Sequence, residues 1–161
     1  KEIESNNRRI GELELEKLQH EVELRNRQLA AKALSISSRD QLLEELLSSM
    51  TKYPGLAAEP GFTPLLQNLK KQLSSEKEWS EFVTLFEDVN HGFLSKLKQR
   101  HPDLNANDIR YLSYMYMSLS TKEIASIFNI TIETCRKRKE RIVKKMQLAE
   151  GVNLYDYLFS L

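Results

Sequence analysis

Six apolar residues spaced seven apart dominate the first fifty positions of this chain: Leu15, Val22, Leu29, Ile36, Leu43 and Met50. An apolar residue at every seventh position is typical of a long α-helix with a narrow apolar seam. The companion position of the repeat is polar in its middle, where Arg25, Lys32 and Arg39 occur. A two-stranded coiled coil along this seam would therefore be weak at its centre, so the helix could instead pack partly on its own domain.

The composition of the whole chain also favours helices. Only 5 glycines and 4 prolines occur in 161 residues, and Leu, Glu, Lys and Ser are abundant. No run of β-branched residues alternates with polar ones between turn signals, so we predict no strands. The expected fold is all-α, with a long coiled-coil-like N-terminal helix, a helical connecting region and a four-helix C-terminal domain.

A cluster of turn residues ends the long helix. The stretch YPGLAAEPGFTP at 53–64 holds three of the four prolines, and we predict a loop there. The segment SSEKEW then predicts a helix start of the Ser-x-x-Glu type. The helix that follows carries an apolar and aromatic stripe from Trp79 to Leu97, typical of a buried face, and ends at His101-Pro102.

Four short helices are predicted in the last sixty residues, because each has its own N-cap. Asn105 with Asp108 opens a helix over 106–118, and Ser120 with Glu123 opens a second. Thr131 caps the third and Asn153 the fourth. The buried positions expected in the first two are Ile109, Leu112, Met115 or Tyr116, Leu119, Ile124, Ala125, Ile127 and Phe128. The predicted parts of the chain are 1–50 for dimerisation and signal transmission, 51–102 as a connecting region, and 103–161.

Residues 121–128 and 132–147 have the spacing of a helix-turn-helix, in which the first helix braces a second that enters a DNA major groove. Ala125 is small where the two helices would approach each other. Asn129 can adopt the left-handed conformation that ends the first helix, and Ile130 would fill the core at the turn. The two helix N-termini, after Ser120 and Thr131, could direct backbone N–H groups at phosphates.

The second helix of the pair contains the run TCRKRKERIVKK, in which seven of twelve residues are Lys or Arg. Most charge runs on helices are only solvated surfaces, but this one has two distinct sides. Cys135, Ile142 and Met146 lie on one side, together with the stem of Lys139. The other side carries Arg136, Lys137, Glu140, Arg141 and Lys144. Arg suits bidentate contacts to guanine and Lys suits phosphates.

The segment STKEIASIFNITIETCRKRKERIVKKMQL resembles the C-terminal helix-turn-helix of LuxR-type response regulators. The segments EVELRNRQLAAKALSISSRDQLLEEL and FLSKLKQRHPDLNANDIRYLSYMYMSLSTKEIASIFNIT are similar to the cytoplasmic ends of sensor-linked Bacteroidetes regulators. In those proteins such an end follows a sensor and a membrane helix. Two positions depart from the family pattern, because Cys135 replaces the usual Val and Lys139 the usual aliphatic residue.

The resemblance implies a sequence-specific DNA-binding transcriptional regulator, the output module of a larger sensor protein whose sensor domain is absent from this chain. The implied partners are double-stranded DNA, a second copy through the long N-terminal helix, and RNA polymerase. The implied location is the cytoplasm, with the full-length protein anchored to the inner membrane by an upstream segment. The candidate DNA-binding residues are Lys122, Thr131, Thr134, Arg136, Lys137, Glu140, Arg141 and Lys144.

The sequence is also compatible with two other binding functions. A sigma-factor region-four module uses a similar pair of helices, but the upstream half does not resemble a promoter-melting region. A non-DNA-binding coiled-coil adaptor would explain the long helix but would leave the two-sided basic helix without a role. His20 followed by Glu21 faintly resembles a histidine-kinase box, yet the Pro and Gly-rich motifs of such kinases are missing.

Several site types are not expected from the residues present. The three histidines have no metal-ligand spacing with Cys or carboxylates, and no Gly-rich phosphate loop or catalytic arrangement occurs. We therefore expect no metal, no cofactor and no enzyme activity. The single cysteine, Cys135, fits a reducing compartment and is expected in the core rather than as a redox switch. No apolar run reaches the length of about 18 residues needed to span a bilayer, and a start in mid-helix without Met suggests a piece of a longer protein.

Overall fold

The computed structural model of the protein describes residues 2–73 and 76–161, without the side chains of residues 72, 73, 76 and 77. Within these residues all regular structure is helical, as predicted. The helices are α1 Glu2–Thr51, α2 Pro54–Ala57, α3 Phe62–Leu73, α4 Glu76–Val89, α5 Phe93–Arg100, α6 Ala106–Tyr116, α7 Thr121–Ile127, α8 Ile132–Lys145 and α9 Leu154–Phe159. The Ser-x-x-Glu start predicted in SSEKEW lies outside the described residues.

Helix α1 has two parts with different surroundings. Every residue from 2 to 25 is exposed, whereas Leu29, Ala33, Ser37 and Leu47 are buried. These four recur at intervals close to multiples of the helical turn, so they form one face. Asn26 and Asn90 exchange two side-chain hydrogen bonds of 3.0 and 2.7 Å where this packing begins. The second half of α1 is therefore part of the folded core of its own chain.

The predicted heptad seam is divided by this arrangement. Leu29 is buried, Ile36, Leu43 and Met50 are half-buried against the same chain, and Leu15 and Val22 are exposed. The sequence left open whether the long helix pairs between chains or packs within one. From about residue 26 onward, it packs within one.

The aromatic stripe from Trp79 to Leu97 lies on two helices, so the prediction of a single helix was wrong. The two helices are separated by a turn that includes Gly92, the N-cap of α5, which has a left-handed backbone conformation with φ 78°. Its N–H donates a 3.0 Å hydrogen bond to the Glu87 carboxylate. A glycine takes this conformation without steric cost, and the chain turns between α4 and α5. The loop predicted at 53–64 also differs, because α2 begins within it at Pro54 and α3 at Phe62.

The core is a continuous cluster of apolar and aromatic side chains. It runs from Leu29 and Ala33 of α1, through Phe82 and Phe86 of α4, to Leu154 and Leu158 of α9. The rings of Phe82 and Tyr114 have centroids 5.6 Å apart, and those of Phe86 and Phe93 are 5.7 Å apart, at separations typical of favourable aromatic pairs. The cluster includes residues from all three predicted parts of the chain.

The predicted positions of α6 are largely confirmed. Ile109, Leu112 and Leu119 are buried and Met115 and Tyr116 are half-buried. The sequence did not indicate that Tyr111 and Tyr114 are buried too. The helix ends at Tyr116 and not at residue 118, because Met117 is the C-cap and Ser118 has a positive φ of 65°.

Over the described residues, no helix combines the length and apolar character needed to cross a bilayer.

We predict that the stability of this fold falls as the pH drops below about 6.5. The His101 ring lies 2.7 Å from the Tyr157 hydroxyl, and burial, followed by the nearby charge of Arg100, lowers its pKa below the ordinary value of 6.5. In mild acid the unfolded chain therefore binds a proton at His101 more readily than the folded chain does, so protonation favours unfolding. Urea unfolding at pH 7.5 and 5.5 measures the difference.

The substitution His101→Gln should reduce this loss of stability, since the amide does not titrate. His20→Gln is the matched control, because His20 is exposed on α1 and its replacement should leave the pH dependence intact. An equal pH dependence in wild type and His101→Gln would contradict the assignment.

Candidate nucleic-acid interface

The predicted brace and second helix correspond to α7 and α8, which pack against each other. Ser120 and Glu123 form the predicted capping box at the start of α7. Four residues connect the helices, and among them Asn129 has the expected left-handed conformation, with φ 51°. The Ile130 N–H donates a 3.0 Å hydrogen bond to the Ala125 carbonyl, and its side chain packs against the core. The connection is thus held by backbone and side chain together.

Helix α8 starts at a capped N-terminus, as predicted. The Thr131 hydroxyl accepts a 3.1 Å hydrogen bond from the Thr134 N–H, which satisfies one of the free donors at this end. The helix was expected to run over 132–147, but it ends at Lys145. Met146 is its C-cap, and Gln147 has a left-handed conformation with φ 52°, which terminates the α-helix.

The two sides of α8 are those that the sequence predicts. Cys135, Ile142 and Met146 are buried in the core, and Lys139 is half-buried beside them. The eight candidate DNA-binding residues are all exposed: Lys122, Thr131, Thr134, Arg136, Lys137, Glu140, Arg141 and Lys144. Seven of them lie on α8 or at its cap, and Lys122 lies in the first turn of α7. The fold therefore presents a mostly cationic helix face to solvent.

Three of these exposed residues already have partners on α8 or at its cap. The Lys137 ammonium lies 3.1 Å from the Glu133 carboxylate, one turn earlier. The Thr131 and Thr134 hydroxyls are 2.8 Å apart. Exposed ion pairs of this kind contribute little to stability, so Lys137 can exchange Glu133 for an external anion at small cost.

Cys135 is in the core, as the sequence predicts. Its side chain is buried, and its thiol lies 3.9 Å from the Tyr111 hydroxyl, to which it can donate a weak hydrogen bond. Burial raises the pKa of Tyr111 well above its ordinary value of 10, and the neighbouring Cys135 adds to this effect. The pair joins α6 to α8 from the inner side, opposite the exposed cations.

Sequence reasoning missed the role of Arg138. Its guanidinium lies 4.5 Å from the centroid of the Phe128 ring, a distance at which cation–π attraction operates. Its Nη1 atom is buried and has no hydrogen-bond partner within the protein. The spacing of Arg138 from Cys135 and Ile142, by three and four residues, is the signal that could have placed it on the inner side of α8.

Sequence reasoning also missed the partner of Lys145. The Lys145 ammonium lies 2.6 Å from the carboxylate of Asp108, which is buried and also accepts the Asn105 N–H at 3.2 Å. The two residues are 37 positions apart, and no local pattern connects them. Lys145 therefore ties α8 to the start of α6, so its charge is directed inward.

Helix α1 contacts the brace directly. The Ser126 carbonyl, near the C-terminal end of α7, accepts hydrogen bonds from the Ser37 hydroxyl at 3.2 Å and the Gln41 amide at 2.6 Å. The Asn129 amide lies 3.5 Å from the Glu44 carboxylate. These contacts attach the long helix to the segment that sets the direction of α8.

A scan against protein-family models, a search of curated proteins and a search of solved structures each found no match. Exposed Arg, Lys and Thr side chains on one side of a rigidly packed helix are suited to binding a polyanion with regularly spaced phosphates.

The Lys145 contact leads to a prediction about stability. Lys145→Met should lower the free energy of unfolding by about 1 to 3 kcal/mol, because the buried Asp108 carboxylate loses a charged partner. Lys144→Met is the matched control, since Lys144 is the exposed neighbour on the same helix turn, and it should change stability by less than about 0.5 kcal/mol. Urea denaturation of the three proteins gives the comparison, and equal stability of the two variants would contradict this account of Lys145.

Proposed function

We propose that the protein is a sequence-specific DNA-binding transcriptional regulator in which α8 is the recognition helix of a helix-turn-helix. The observation that carries the proposal is the division of α8 into two sides. Cys135, Ile142 and Met146 hold one side in the core, while Arg136, Lys137, Glu140, Arg141 and Lys144 are exposed on the other. Four cations, Arg136, Lys137, Arg141 and Lys144, therefore share the exposed side of a helix whose orientation the core fixes.

The dimensions of α8 support insertion into the major groove. The helix has 14 residues, which corresponds to about 21 Å, and a B-DNA major groove about 12 Å wide admits an α-helix. Arg136 and Arg141 can form bidentate hydrogen bonds with guanine edges, and Glu140 can accept from the amino group of cytosine. Lys122 and Lys144 suit backbone phosphates, which position a protein on the duplex.

The wider proposal follows the resemblance to LuxR-type regulators. According to this wider proposal, the chain is the cytoplasmic output module of a larger sensor protein. It pairs with a second copy through α1, and RNA polymerase is a further partner. The contacts of Ser37 and Gln41 with the Ser126 carbonyl support a role for α1 in transmitting a signal, because they connect the long helix to the brace of the recognition helix.

The direct test is binding of duplex DNA selected from genomic fragments, measured by fluorescence anisotropy at several salt concentrations. Affinity should fall steeply with salt, because phosphate neutralisation releases counterions. Arg136→Ala and Lys137→Ala should each cost about 1 to 3 kcal/mol at the selected site if the residue reads a base. Lys144→Ala should weaken binding to all sequences alike.

The matched control is Lys96→Ala with Lys98→Ala, which removes two exposed cations from α5 and should leave DNA affinity nearly unchanged. All variants change exposed side chains, so their thermal stabilities should match the wild type and exclude misfolding as a cause. The proposal fails if no duplex binds at low salt, or if the Arg136→Ala, Lys137→Ala double variant binds as well as the wild type.

A further inference from the structure

The face of α1 that carries the heptad repeat is mostly occupied by its own chain. Leu29 and Ala33 are buried on α4 and the rest of the core, whereas three large apolar residues on this side, Leu15, Leu18 and Val22, are exposed. A second helix laid along these three residues would meet the same chain's α4 and α5 region just beyond residue 25. Val22 already lines a groove together with Phe93 and Phe159 of its own fold. This face is therefore obstructed for a partner helix that continues toward the C-terminus.

A second apolar stripe runs along the other side of α1 and is free over the whole helix. It consists of Ile3, Ile10, Leu13, Leu24, Leu42 and Leu46, each of which is at least 50% exposed. At 3.6 residues per turn, these positions lie on one side of the helix, roughly 150° around from the centre of the buried face. We call them the outer stripe. Between Leu24 and Leu42 this side carries the exposed Ala31 and Ser35, small residues that permit close approach of another helix.

We propose that the outer stripe is the surface through which two copies of this chain pair, as parallel helices in register. The inference rests on the dimer of the proposed function and specifies its interface. Parallel, in-register pairing brings each of the six apolar residues beside its own counterpart. An antiparallel arrangement matches Ile3 with Leu46 but sets Ile10 and Leu13 against the Arg39 and Ile36 region.

Helix stability also calls for a partner at this surface. All residues from 2 to 25 are exposed, and most of the stability of helices in proteins comes from packing of an apolar face, so a partner on the outer stripe would stabilise this segment. Each of the six side chains of the stripe can bury on the order of 100 Å². The apolar area of the stripe is then roughly 600 Å² per chain, comparable to the roughly 800 Å² per partner of a standard protein interface.

The position of the stripe suits the DNA-binding role of the dimer. The buried face of α1, on which the core of each chain packs, lies roughly 150° around the helix from the outer stripe, so pairing along the stripe does not set the two cores on the same side. The two folds then lie on opposite sides of the helix pair, at the same end. The exposed residues of α8 take no part in the proposed interface, which lies on α1 alone.

Sedimentation equilibrium of the whole chain can distinguish the two stripes. Leu13→Gln with Leu24→Gln changes the outer stripe, and Leu15→Gln with Leu18→Gln changes the heptad face. The four side chains are matched in exposure, at 58%, 50%, 58% and 59% respectively. The Leu13, Leu24 double variant should raise the dimer dissociation constant at least about 30-fold, because apolar area is lost from both chains. The Leu15, Leu18 double variant should change it by less than about threefold.

A gain of affinity provides a second test that misfolding cannot imitate. Lys17 lies on the same side of α1 as the outer stripe, between Leu13 and Leu24. In-register pairing therefore sets its charge beside that of Lys17 in the other chain. Lys17→Leu should therefore strengthen the dimer about tenfold or more, because an apolar residue at a seam position replaces two like charges. Glu16→Leu, one residue away and about 100° around the helix, is the matched control and should not strengthen it.

The direction of pairing can be tested by oxidation. Ser35→Cys places a thiol on the outer stripe and should give disulfide-linked dimers, while Ser48→Cys, exposed on the far side of α1, should not. The native Cys135 is buried and does not compete. A dimer that does not cross-link through Ser35→Cys overturns parallel pairing in register, because the antiparallel arrangement sets residue 35 beside residue 14 of the other chain, and a cross-link through Ser48→Cys overturns the choice of face.

These results separate the interface from the DNA-binding proposal. The inference is overturned if the Leu15, Leu18 variant dissociates the dimer and the Leu13, Leu24 variant does not, or if the wild-type chain is a monomer at all concentrations. Neither result alters binding of DNA by α8 within one chain, which anisotropy with the Arg136 and Lys137 variants measures independently. Absence of DNA binding by a dimer that responds to Lys17→Leu would instead overturn the proposed function alone.

Discussion

The packing of one face of α1 on the core is the interaction on which the rest of this structure depends. Burial of Leu29, Ala33 and Leu47 places half of a 50-residue helix within the fold and leaves the other half in solvent. Ser37 and Gln41 on the same face donate hydrogen bonds to the Ser126 carbonyl near the end of α7, in addition to the Asn129 N–H that this carbonyl also accepts. These contacts therefore couple the orientation of α7, and with it that of α8, to the orientation of α1.

A chain of cation–π contacts extends this connection to the basic helix. Arg110 of α6 lies 5.1 Å from the Trp79 ring of α4 and 5.5 Å from the Phe128 ring at the end of α7. Arg138 of α8 approaches the same Phe128 ring. Four helices therefore meet through two guanidinium groups and two aromatic rings. Displacing α4 relative to α7 would disturb Arg138, which lies on α8 between the exposed Arg136 and Arg141.

Local sequence signals predicted much of this fold, but they did not predict the contacts between residues far apart in the sequence. The caps at Asn105, Ser120, Thr131 and Asn153 are confirmed, because a cap depends on residues within one helical turn. The left-handed Asn129 and the two sides of α8 follow equally from short spacing. The break at Gly92 was missed because the aromatic stripe continues in phase across it. The Lys145 to Asp108 pair and the division of the heptad seam depend on tertiary packing, which no periodicity within one helix contains.

The inward direction of Lys145 and Arg138 changes the electrostatic character of the run TCRKRKERIVKK. Of its seven cations, Arg138 stacks on Phe128, Lys145 is bound to Asp108, and Lys139 is half-buried. Arg136, Lys137, Arg141 and Lys144 are left facing solvent. In a complex with duplex DNA, counterion release scales with the number of phosphates neutralised, by about 0.9 ions for each. The run would thus displace about four ions from the duplex for each chain. A count of its seven cations therefore overstates the non-specific attraction that the proposed recognition helix would exert on DNA.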